Sequence, residues 1–317
     1  MKKWLMLAVS LLIFCGCGDS GEKKMKIGIS VPSATHGWTG GVVWSAERAE
    51  KNIEAANPDV DVVIATSANT AAQVDAIENL LMQDIDALVV LSQEPEPLDN
   101  VCRQAKARGV YLVVVSNPLP SGAQDVFVNG DNASFGAAAG EAMGQALNGS
   151  GDILVLEGFL CPINTERVES FKKVLADKYP GIRIIDSQPT DWNTERGLKV
   201  MESYLQKYPK VDGVWAGDDD VLLGVLTAYA ESKRTDVKAM VGGGGSKAIV
   251  KKVMDNDPVV KATVTYPPQM VEVGAAKALD GLRNGGKPVN GEVEVIVKSE
   301  VVTPDNAANY YFEDSKY

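Results

Sequence analysis

Ala87-Leu88-Val89-Val90-Leu91 and Tyr111-Leu112-Val113-Val114-Val115 are two unbroken apolar runs, and the residues between them, 97–108, have helical character. Five consecutive apolar residues with no polar alternation are the mark of a strand covered on both faces. Strand, helix and strand in that order describe a parallel pair joined by a crossover. Moving outward, the same unit repeats. Upstream, Lys26-Ile27-Gly28-Ile29-Ser30-Val31 is a strand, and a helix over 39–56 places Val43, Ala46, Ala49 and Ile53 on one face. A strand over 60–65 follows, then a helix capped at Asn69-Thr70 that carries Val74, Ile77, Leu80 and Leu81.

Downstream, a strand over 125–128 precedes an Ala/Gly-rich helix over 135–147. Strands are expected at 153–156, 182–185, 211–216, 237–241, 262–265 and 293–297. Helices are expected at 164–178, 194–207, 220–232, 246–255 and 269–283. About ten such units exceed one comfortable sheet, so the fold class is α/β with two doubly wound, Rossmann-like lobes of parallel strands.

Composition narrows the function. The 317 residues carry 31 Lys+Arg and 42 Asp+Glu, a formal charge of −11. Phosphate binding needs a basic footprint, so nucleic acid is not an expected partner. At 45% hydrophobic the chain has the apolar content of folded lobes. The lone histidine, His36, cannot supply a His-rich metal site and leaves one imidazole for any catalytic triad. Neither a metal nor a cofactor is expected.

The first residues read as an address. Lys2 and Lys3 precede an apolar run from 4 to 14, too short for a bilayer span, which takes about 20 residues. Cys15-Gly16-Cys17 follows and resembles a bacterial lipobox, with Cys17 as the lipidated residue. The expectation is a signal peptide over 1–16, a lipid-anchored tether over 17–24, and membrane association through the lipid alone. The alternative is an ordinary secretory signal and a soluble product. Cys102 and Cys161 are expected as two unpaired thiols, and no Cys-x-x-Cys spacing points to zinc.

In open parallel sheets a ligand sits beyond the carboxyl ends of the strands. That rule singles out the loops near 32–39, 92–96, 116–122, 157–165, 188–193, 216–220, 242–246 and 265–268. The first holds His36, Trp38 and Thr39; an indole beside polar groups suits a ring-shaped polar ligand, or Trp38 staples the start of a helix. Trp192, between Asp191 and Asn193, suits the same kind of ligand, or Asn193 caps a helix and Trp192 is packing. Arg167, placed in the first turn of its helix, opposes the macrodipole and calls for a partner or ligand, the rival being a surface ion pair with Glu166 or Glu169. Asp219 or Asp220 would cap the next helix, leaving Asp218 as a hydroxyl acceptor, with a metal site as rival. Gly242-Gly243-Gly244-Gly245-Ser246-Lys247 fits neither phosphate-loop spacing; close backbone approach or a hinge fits as well.

At this point the chain resembles the periplasmic solute-binding proteins of ABC sugar importers, in the ribose-binding-protein-like group (type I periplasmic binding proteins). The resemblance rests on Val126-Phe127-Val128-Asn129-Gly130-Asp131-Asn132, Arg167-Val168-Glu169-Ser170-Phe171, Pro189-Thr190-Asp191-Trp192 and Val214-Trp215-Ala216-Gly217-Asp218-Asp219-Asp220. It implies lobes of 25–129 with 266–297 and of 130–265 with 298–317, hinged at Gly130, Thr265 and Val297. It implies a ligand gripped by His36, Trp38, Thr39, Ser116, Asn117, Arg167, Trp192, Asp218, Gly244 and Thr265. Ser116-Asn117 stands where the group has a charged Asp-Arg pair, and a later Asp is replaced near Gly244, so a small neutral sugar-like molecule is expected.

The implied function is not catalytic. It is that of an extracytoplasmic, monomeric solute-binding component delivering its ligand to an ABC permease. The alternative is a receptor module showing its closed form to a chemoreceptor or sensor kinase. A glycosidase using Asp218 and Glu157 as paired carboxylates is a further rival.

Overall fold

The computed structural model describes residues 23–35 and 37–317. The expected signal segment, Cys17, most of the tether and His36 lie outside the described residues. Among the described residues no helix is long and apolar enough to cross a membrane.

Strand and helix alternate through the first sheet: β1 (Met25–Pro32), α1 (Gly37–Ala56), β2 (Val60–Ser67), α2 (Thr70–Met82), β3 (Ala87–Leu91), α3 (Pro95–Ala107), β4 (Tyr111–Val115) and β5 (Val126–Gly130). The rhythm restarts with α4 (Asn132–Ala146), β6 (Ser150–Glu157), α5 (Pro162–Lys178), β7 (Gly181–Pro189) and α6 (Thr194–Lys207). It continues with β8 (Gly213–Ala216), α7 (Asp219–Ser232), β9 (Ala239–Gly244), α8 (Lys247–Met254) and β10 (Val260–Thr265). The chain then adds α9 (Met270–Arg283), β11 (Glu294–Val297) and β12 (Val301–Val302).

The strands form two six-stranded sheets, ordered β2-β1-β3-β4-β5-β11 and β7-β6-β8-β9-β10-β12. The protein is therefore α/β with two doubly wound lobes. All pairings are parallel except β12 against β10, a two-residue antiparallel edge that the expectation of parallel sheets did not include. β3 shows why its run is apolar throughout. Ala87, Val89 and Leu91 join the cluster under α1 and α9, and Leu88 and Val90 join the one under α2 and α3. The cluster under α1 and α9 continues through Tyr266 and Phe135 into the second lobe, under α4 and α5.

Gly130, Thr265 and Val297 are the last residues of β5, β10 and β11, and the chain passes between the sheets after each. Two local expectations change. The glycine run is not a loop from Gly242, because β9 extends through Gly244. Neighbours fill the space its side chains would need: a Cβ on Gly242 would lie 2.1 Å from Asp219 Oδ1, and one on Gly243 2.4 Å from Phe135 Cζ. And α5 starts at Pro162, a residue pre-shaped for a first helical position, so Arg167 lies in the second turn rather than the first. The helix dipole opposes it less than expected.

Candidate functional site

The carboxyl ends of the two sheets face one another across a cleft that holds a partly open cavity. The first lobe contributes Trp38 from the first turn of α1, and Ser116 and Asn117 from the loop after β4. The second contributes Ile163 and Arg167 from α5, Trp192 after β7, Asp218 after β8 and Gly244 at the end of β9. Tyr266, just past β10, completes the wall.

Each side chain is held by something other than a ligand. Trp38 Nε1 donates to the Tyr266 carbonyl at 2.9 Å, and the two rings lie 5.8 Å apart. Asn117 Nδ2 donates to the Ser92 carbonyl at 2.8 Å, and Ser116 Oγ lies 3.2 Å from the Tyr266 hydroxyl. Trp192 packs on Gly158 so closely that a Cβ there would lie 1.9 Å from the indole nitrogen. Asn193 caps α6, its Oδ1 accepting from the Arg196 amide at 3.0 Å. Asn193 is therefore a helix cap, and Trp192 both packs on Gly158 and lines the cavity.

Arg167 is buried, and its Nε donates to Asn132 Oδ1 at 2.9 Å. Its guanidinium lies 4.1 Å from the centre of the Phe135 ring and 4.3 Å from that of Tyr266. Among the described residues no carboxylate stands within ion-pair distance of it, so the rival surface pairs with Glu166 or Glu169 do not form. Aromatic faces stabilise a desolvated cation only partly. Burial lowers the pKa of Arg167 from its ordinary value.

The three aspartates divide their labour differently from the expectation. Asp218 is itself the cap of α7, its Oδ1 accepting from the Asp220 amide at 2.8 Å. Burial first, then the charges of Asp220 and Asp219, raise its carboxyl well above the usual carboxylate range. Asp219 points into the lobe, accepting from the Ser246 amide at 2.7 Å and the Thr263 hydroxyl at 2.8 Å. Asp220 reaches across the cleft and accepts from the Gly37 amide of α1 at 2.9 Å.

Thr39 and Thr265 do not line the cavity. Thr39 Oγ1 accepts from the Thr35 amide at the start of α1, and Thr265 Oγ1 accepts from the Glu300 amide. Ile163 and Tyr266 are wall residues that the sequence reading did not single out, although both lie in loops that the strand-end rule marks. Glu157 is committed elsewhere, to the Asn164 amide and the Ser187 hydroxyl, and it does not line the cavity beside Asp218. Among the described residues no group of three or more His, Cys, Asp or Glu is arranged to hold a metal ion. Cys102 and Cys161 are both free thiols.

The family model of the periplasmic binding protein domain matches residues 27–287. The chain belongs to this family. The ribose import binding protein of Bacillus subtilis is 26% identical over 302 residues, covering 90% of this chain and 95% of that protein. The xylitol-binding protein of Mycolicibacterium smegmatis is 28% identical over 251 residues, covering 78% of this chain and 70% of that one. Among solved structures, an ABC transporter periplasmic solute-binding protein from Actinobacillus succinogenes with bound D-allose superposes with a TM-score of 0.80. It is 21% identical and covers 90% of this chain and all of that one. Family membership makes this an exported, periplasmic-type binding protein.

Proposed function

We propose that this protein is the solute-binding component of an ABC importer and that it holds a small neutral sugar or sugar-like polyol between its lobes. The observation that carries the reading is the cavity itself. Two indoles from opposite lobes, Trp38 and Trp192, share it with a buried Arg167 and a buried Asp218. Apolar C–H faces of a sugar ring pack on indole, while its hydroxyls accept from a guanidinium and bridge to a carboxyl. The names of the ribose and xylitol relatives support the same ligand class.

The mechanism is a clamp. Residues 25–129 with 266–297 move against 130–265 with 298–317 about Gly130, Thr265 and Val297. Contacts to both lobes exist only when the cleft is shut, so a ligand favours that state by its differential affinity. A monomer tethered by lipid at Cys17 presents the closed form to a membrane permease. Binding without turnover is the expected activity.

A thermal-shift screen against aldopentoses, aldohexoses, pentitols and cyclitols, followed by calorimetry of the hits, tests the reading. A saturable hit whose affinity falls in Trp192→Ala is the expected result. A cooperatively folded protein that responds to none of these compounds would sink it.

A further inference from the structure

Residues 312–317 touch both lobes. On the first lobe the Phe312 ring lies 5.8 Å from Trp44 of α1, and the Arg48 guanidinium covers both, 4.5 Å from the Trp44 centroid and 5.7 Å from that of Phe312. Lys316 stands 3.5 Å from Glu47. The Tyr317 ring packs on Gly41 so tightly that a Cβ there would lie 2.8 Å from Tyr317 Cβ. On the second lobe Lys247, the first residue of α8, donates to the carbonyls of Glu313 at 3.0 Å and Ser315 at 2.7 Å. The Tyr317 hydroxyl lies 2.0 Å from where a Cβ on Gly244 would stand. Any side chain at 244 would collide with it, so Gly244 and Tyr317 are a fitted pair beside the cavity.

We infer that residues 312–317 are a strap beside the crossovers that holds the lobes together in the closed arrangement, independently of what the cleft binds. The argument is one of linkage. Contacts made to both bodies at once exist in the closed arrangement and are lost in part when the bodies separate, so they bias the equilibrium toward closure. Three features show that the segment is fastened rather than draped. Tyr317 is 7% exposed and Ser315 is 6% exposed. The Ser315 hydroxyl both donates to the Tyr317 carbonyl, at 2.7 Å, and accepts from its amide, at 3.1 Å. And the α1 contacts of Phe312, Lys316 and Tyr317 lie on the lobe opposite to the one that Lys247 grips.

Hydrogen exchange of the ligand-free full chain reads the closure directly. The Gly37 amide is bonded across the cleft to Asp220, so its exchange reports lobe separation, and the β3 strand reports global unfolding. Lys247→Met keeps the stem of the side chain and removes its two bonds to the strap. We expect exchange at Gly37 to quicken about tenfold in Lys247→Met and in the pair Phe312→Ala with Tyr317→Ala, with β3 unchanged. Unchanged exchange in Lys247→Met would overturn the strap. So would equal acceleration everywhere, because that reports lost stability rather than lost closure. Neither result bears on the sugar reading, which stands or falls with the ligand screen.

Discussion

Trp192 and the residue before it both occupy the left-handed region, with φ of 53° for Trp192 and 52° for Asp191. Non-glycine residues there cost on the order of 1 kcal/mol each and persist where surroundings fix them. Here Thr190 is tied twice to the Glu157 carbonyl, Asp191 pairs with Arg196 and Asn193 caps α6. The strained turn aims an indole at the cavity. Trp192→Ala should therefore lose about 2 kcal/mol of ligand binding, roughly thirtyfold in affinity by calorimetry. The melting temperature should move little, because the ring is only half-buried. At this scale the sequence was informative wherever a residue follows a strand: Trp38, Ser116, Asn117, Arg167, Trp192, Asp218 and Gly244 all reach the cavity. Thr39 and Thr265 stand off the cavity wall and bond to nearby backbone amides, as a short hydroxyl does readily. Tyr266 escaped notice because its position on the wall depends on how β10 hands the chain back to the first lobe.

Helix pairs in the second lobe meet through glycine. A Cβ on Gly136 of α4 would lie 1.9 Å from the Arg167 carbonyl of α5, and one on Gly224 of α7 2.1 Å from the Thr194 carbonyl of α6. Each helix can approach its partner only because that side chain is missing. Gly136→Ala and Gly224→Ala should each cost about 1–3 kcal/mol in denaturant unfolding, as overpacked contacts do. Gly136→Ala should also weaken ligand binding, because it displaces Arg167; Gly224→Ala should not. The strand and helix succession was legible from period alone, but these close approaches were not, since a glycine in a helix looks like a weak point until its neighbour is known.

The first residue of α7 adds a pH dependence. Burial pushes the Asp219 carboxyl up to about 7, against an ordinary value of 3.8. The folded state therefore favours the neutral acid. Stability from this group is complete below about pH 4 and is lost as pH rises through about 7, by an amount on the order of 4 kcal/mol. Asn has the shape of the neutral acid, with an oxygen for the Ser246 amide, and the Thr263 hydroxyl, which donates to Asp219, can rotate to accept from its nitrogen. Asp219→Asn should flatten that part of the urea-unfolding profile between pH 4 and pH 8 and match or exceed the wild type at pH 8. An unaltered slope would show that Asp219 is ionised throughout.

On the scale of the whole molecule, affinity is a property of closure as well as of contact. Asp220 does not line the cavity, yet it takes the Gly37 amide from the opposite lobe. A charge-assisted hydrogen bond of this kind contributes about 1 kcal/mol when partly exposed. Removing it in Asp220→Ala lowers the population of the closed state without touching the ligand. A smaller competent fraction divides every intrinsic affinity by the same number. Two ligands of different affinity should therefore weaken by the same factor in Asp220→Ala, at most about fivefold, their ratio unchanged. Trp192→Ala should change that ratio, because ligands differ in how much of their surface they lay on an indole. Calorimetry of both ligands on both variants separates the two cases: a ratio that shifts in Asp220→Ala would place Asp220 in contact with the ligand rather than in the hinge equilibrium.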